Sequence, residues 1–199
     1  MKKIFAVVVA FALLALMSAG SNAQGKIALS VGGDVLIPMG NFGNAYSTGF
    51  GGSVRGQYNI TPMFSAGLTV GYYTWSGKDQ NLGFITVKGG TFKGVPVRAF
   101  GKYYFVPESE KVRFYGIAEI GMFFGSVDVP PINTPFGPIG GGSASSTDFN
   151  FAPGVGVEFG LGSGNTKLDV SARYDVIATS GSSSGSLGAR VGVNFGLGN

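Results

Sequence analysis

KLDVSARYDV, residues 167–176, decides the fold. Leu168, Val170, Ala172, Tyr174 and Val176 are apolar, and Lys167, Asp169, Ser171, Arg173 and Asp175 alternate with them. A strand sends successive side chains to opposite faces, so this segment has one oily face and one charged face. Wound as a helix, both sets would spread around the whole circumference. The period of two marks a strand, and the fold turns on what each face meets.

Seven more segments alternate in the same way: 26–37, 49–58, 64–75, 95–105, 112–124, 148–159 and 187–197. A tilted membrane-spanning strand needs about 9–11 residues, close to these lengths. The connections alternate long and short. Residues 38–48, 76–94, 125–147 and 178–186 are long and rich in Gly, Ser, Asn or Pro, and 179–186 (TSGSSSGS) reads as a flexible loop. Residues 59–63, 106–111 and 160–166 are short. FITV at 84–87 is expected to extend its strand pair outward. Eight strands with this rhythm predict an all-β, antiparallel, up-and-down barrel, with short turns on one rim and long loops on the other.

Composition limits the chemistry. The 199 residues suggest one domain, and only 12% are charged. Cys and His are both absent. No disulfide, thiolate metal site or His-activated nucleophile is possible. Lys2 and Lys3 precede residue 24, which leaves 12 Lys and Arg against 10 Asp and Glu beyond it. A nucleic-acid binder would carry a larger, clustered excess. The start is itself informative. MKK, an apolar run over 4–17 and the small-residue stretch SAGSNA over 18–23 form the three-part pattern of a secretory signal peptide. Residues 1–23 are expected to be removed, leaving a barrel domain over 24–199.

Two barrels fit eight alternating strands. A soluble lipocalin-like barrel turns apolar residues inward, and a membrane barrel turns them outward. The zoning of aromatics favours the membrane. On the oily faces, Tyr58, Phe64, Tyr103, Phe105, Phe114, Phe159 and Phe195 lie toward the short-turn end. Phe50, Tyr72, Phe124, Phe149, Phe151 and Tyr174 lie toward the long-loop end. Smaller residues such as Val54, Leu68, Val97 and Ala118 fill the middle. Two aromatic girdles around an aliphatic band match a bilayer with its two interfaces.

The opposite face carries Arg55, Arg98, Lys102, Arg173 and Arg190 as cations. Asp34, Glu119, Glu158, Asp169 and Asp175 are the acids. Five against five is neutral, as expected of a narrow lumen whose charges must pair. Arg98 is expected roughly opposite Glu119, as a cross-strand pair. Tyr73, Trp75, Phe100, Tyr104, Tyr115 and Phe123 share that face and add bulk, so the lumen is expected to be plugged.

Residues 33–62 (GDVLIPMGNFGNAYSTGFGGSVRGQYNITP), 101–105 (GKYYF) and 151–159 (FAPGVGVEF) resemble the small outer-membrane β-barrel domain family, which includes the OmpA/OmpX-type eight-stranded barrels. The resemblance covers the chain beyond residue 23. It implies an outer-membrane location, assembly by the barrel-assembly machinery, contact with outer-membrane lipid, and roles in envelope integrity, adhesion or host interaction. Many members end in an aromatic residue, whereas this sequence ends GLGN, with Phe195 expected in that role. No peptidoglycan-binding domain is expected after the barrel.

Three functions are compatible with such a barrel. The first is a monomeric structural or surface-interaction barrel that meets an extracellular ligand through loops 38–48, 76–94, 125–147 and 178–186. The second is a small porin-like channel, and balanced lumen charge argues against strong ion selectivity. The third is an outer-membrane enzyme, for which Glu119 and Asp175 are the candidate acid pair. The first is favoured, with no catalytic set, no cofactor, no metal and no nucleic-acid partner.

Overall fold

The computed structural model describes residues 27–81, 86–107, 111–134, 137–162, 165–179 and 181–197. The predicted signal peptide lies outside them. Eight strands form one closed antiparallel barrel: β1 (Ile27–Met39), β2 (Gly49–Asn59), β3 (Phe64–Ser76), β4 (Thr91–Tyr104), β5 (Val112–Val129), β6 (Gly142–Gly160), β7 (Thr166–Thr179) and β8 (Ser182–Leu197). Each strand pairs with its neighbours in sequence, and β1 closes on β8 from Ile27↔Leu197 to Met39↔Gly185. This is the up-and-down order that the alternation predicts. Closure leaves no edge, so the backbone pairs internally as the hydrocarbon core of a bilayer demands.

The strands are longer than expected at the long-loop end. β5 continues to Val129 and pairs there with Gly142 of β6, so much of the expected loop 125–147 is ladder. The expected loop 178–186 is a tight hairpin, because β7 runs to Thr179 and β8 starts at Ser182. Gly181 takes a left-handed φ of 86° at that turn, a conformation that suits glycine. Both segments are Ser- and Gly-rich and read as linkers in the sequence. Backbone pairing to a neighbour, which composition does not reveal, makes them strands.

The other two long connections carry structure of their own. Gly40–Ala45 forms a short helix that follows β1. Tyr46 bridges to Gly77, and the Lys78 amide donates to the Ala45 carbonyl at 2.9 Å, so this connection is tied to the end of β3. Thr86 and Val87 pair with Gln80 and Asn81 in a separate two-stranded piece, within the connection where FITV was expected to extend the strand pair outward. Phe84 and Ile85 lie outside the described residues.

Prolines mark two breaks in the ladder. The β3–β4 pairing skips Val95 and Pro96, and the β6–β7 pairing skips Ala152 and Pro153. Proline has no N–H to donate across the gap.

Candidate functional site

Alternation places the two faces without exception among the predicted residues. All thirteen girdle aromatics are exposed on the outer wall, from Phe159 at 37% to Phe105 at 59%. Leu68, Val155 and Ile120 are similarly open between them. The ten predicted lumen charges point inward, and none is more than 5% exposed.

Those ten charges join into one connected network. Asp34 accepts from Arg173 Nη2 at 2.8 Å, and Arg173 Nε donates to Asp175 at 2.8 Å. Asp175 also accepts from Arg98 Nη1. Arg98 Nε lies 2.9 Å from Glu119 Oε2, and Arg55 Nη2 donates to Glu119 Oε1 at 2.6 Å. Arg55 Nη1 then faces Asp169 at 3.8 Å. Asp169 is the hub, with Lys102 Nζ at 2.9 Å and Arg190 Nη1 at 3.3 Å. Lys102 also donates to Glu158 at 3.0 Å.

Neutral groups complete the shells. The Tyr115 hydroxyl donates to Asp169 at 2.9 Å, and the Tyr104 hydroxyl to Glu158 at 2.8 Å. The Ser53 hydroxyl donates to Asp34 at 2.7 Å while its oxygen accepts from Arg190 Nε at 2.9 Å. The Tyr73 hydroxyl oxygen accepts from both Arg98 and Arg173. Residues far apart in sequence thereby lock opposite walls together, since charges withdrawn from water require such partners.

The pairing of Arg98 with Glu119 has a different register from the expected one. Glu119 lies directly across from Phe100, and Arg98 across from Gly121. The pair is therefore diagonal, within reach of a long arginine side chain. Glu119 and Asp175, considered as an acid pair, both face Arg98. The sequence reading also left Arg113 out of the lumen charges. It is 3% exposed, its Nη2 donates to the Pro62 carbonyl at 2.5 Å, and its guanidinium sits 3.8 Å over the Tyr104 ring centroid. The signal was present, because Arg113 shares the strand parity of Tyr115 and Glu119.

Aromatic packing fills what the charges leave. Phe100, Tyr104, Tyr115 and Ile117 form one buried cluster beside the lower part of the network. A second cluster closes the long-loop end: Leu36, Phe42, Tyr73, Trp75, Phe123 and Ile177, with Tyr46 and Phe92 against it. Phe42 comes from the short helix and meets Trp75 edge-on at 5.7 Å. Close approach explains two glycines. A Cβ at Gly156 would overlap the Tyr115 ring, and one at Gly94 the Phe123 ring. Burial raises the Tyr46 phenol above its ordinary value, so it stays neutral at physiological pH.

The outer membrane protein beta-barrel domain family matches residues 8–195. The chain belongs to that family. Membership puts this barrel in an outer membrane. The fold is similar to that of Neisserial surface protein A, NspA, with a TM-score of 0.59 at 18% identity over 86% of this chain and 97% of that one. It is also similar to the outer membrane protein OprG from Pseudomonas aeruginosa, with a TM-score of 0.57 at 11% identity over 89% and 98%. At such identities the likeness is one of fold. No curated protein matches the sequence.

Proposed function

We propose that this outer-membrane barrel is a structural and surface-interaction protein with an occluded lumen, not a conduit. The observation that carries this reading is the continuous ion network from Asp34 to Glu158, with apolar clusters beside and above it. A water-filled pore would need those side chains to part, which would break the ion pairs that tie opposite walls together. The long-loop rim is then the part that meets partners outside the cell. Its most prominent feature is the β5–β6 hairpin, where Gly142–Ser146 continues the ladder with Gly125–Val129. The reading also includes export through a cleaved signal peptide, delivery by the barrel-assembly machinery, and a monomer in outer-membrane lipid.

The test is solute release from proteoliposomes loaded with small neutral and charged dyes. No release above empty liposomes is expected. Rapid release that scales with the amount of folded protein would replace the occluded barrel with a channel. Trimming the β5–β6 hairpin should leave folding intact and abolish binding to whatever surface the intact protein engages.

A further inference from the structure

A cleft of ≈ 180 Å³ opens at the outer mouth, bordered by Phe42, Tyr46, Phe92, Asp148, Ile177 and Thr179 among others. A cavity of about 150 Å³ accommodates benzene, so this one suits a group of that size or slightly larger. Three rings cluster on its lining. Phe42 and Tyr46 have centroids 5.0 Å apart, and Phe92 lies 5.8 Å from each. Asp148 brings the negative charge.

Asp148 differs from the other carboxylates turned into the barrel. Asp34, Glu119, Glu158, Asp169 and Asp175 each have a cation partner. Half-buried Asp148 accepts only the Ser146 hydroxyl, at 2.6 Å, and among the described residues no cation pairs with it. A carboxylate held partly out of water beside aromatic rings favours positive charge twice over. It attracts the cation directly, and the ring faces attract it through their quadrupoles. The same carboxylate repels anions and would lose hydration against a purely apolar guest.

We propose that this cleft binds a small organic ammonium ion with apolar substituents, the rings of Phe42, Tyr46 and Phe92 packing on the substituents and Asp148 balancing the charge. The site deepens the surface-interaction reading and rests on it, since the cleft lies on the rim assigned to the outside.

The probe is choline, compared with its neutral isostere 3,3-dimethyl-1-butanol. Binding is read by isothermal titration or ligand NMR on the refolded full chain in a maltoside detergent, because phosphocholine detergents would compete. Choline should bind about tenfold more tightly than the isostere, the scale of one charge-assisted contact with aromatic support. Asp148→Asn should erase that preference, and Phe92→Leu should weaken choline more than the isostere. Heat-modifiable gel mobility verifies folding of each variant, and the isostere comparison on the unaltered chain decides the matter without any variant. Equal binding of the two probes, or binding of neither, overturns the proposal. Dye release measured on the same protein reconstituted into liposomes separates the two readings. Release would overturn the occluded lumen while a choline preference left the site standing.

Discussion

Asp169→Asn is the sharpest perturbation of the lumen network. The carboxylate is fully buried and faces three cations: Lys102 at 2.9 Å, Arg190 at 3.3 Å and Arg55 at 3.8 Å. It also accepts the Tyr115 hydroxyl at 2.9 Å. The amide keeps the shape but removes the charge. Glu119 and Glu158 still serve Arg55 and Lys102, but Arg190 has no other acid among its ion pairs. Removing one partner of a buried pair costs about 3–5 kcal/mol, because the remaining charge is left without compensation. With a urea slope of about 1–3 kcal/mol/M, the unfolding midpoint should fall by roughly 1–5 M. Urea unfolding in lipid vesicles, followed by heat-modifiable mobility, is the assay. A cycle with Lys102→Met should show coupling of about 0.5–3 kcal/mol between the two sites. Asp128→Asn serves as the control. Its pair with Lys93 is solvent-exposed and should matter little. A midpoint for Asp169→Asn that matches the control, or strict additivity in the cycle, would refute the claim that the network closes the barrel.

Two further outcomes follow from the same placement of faces. Leu68 is 61% exposed on the outer wall between the girdles, so Leu68→Arg should destabilise the folded barrel in bilayers by about 2–4 kcal/mol; stability equal to the parent would show that Leu68 does not face hydrocarbon. Gly156→Ala would push a methyl into the Tyr115 ring, displacing its bond to Asp169, and should cost about 1–3 kcal/mol by the urea midpoint, whereas no change would show that the ring is not packed there.

Strand existence and facing were legible because alternation is a local signal, read residue by residue along segments such as 167–176. The charged face and both girdles follow from it directly. Strand ends were less legible. Ser182–Ser186 and Gly142–Thr147 carry almost no side-chain signal, and only the ladder with β7 or β5 makes them strands. The helix at Gly40–Ala45 was hidden for a related reason. GNFGNA has poor intrinsic helix propensity, and packing of Phe42 on Trp75 and Phe92 holds it in place. Partner choice within the lumen depends on barrel closure. Asp34 and Arg173 are 139 residues apart, and no local pattern brings them together. Asp148 was legible as an inward residue of β6, but its lack of a cation emerges only when every other inward carboxylate has been matched.

The phase of the 167–176 strand is the most direct test of the account. The native chain has no cysteine, so single cysteines at 168, 170, 171, 172 and 177 can each carry a nitroxide label. Oxygen accessibility in bilayers should be high at 168, 170 and 172, the lipid-facing set. It should be low at 171 and 177, where Ser171 and Ile177 are 4% and 6% exposed. The opposite phase, or uniform accessibility along the strand, would contradict the inside-out barrel and the charge-filled lumen built on it.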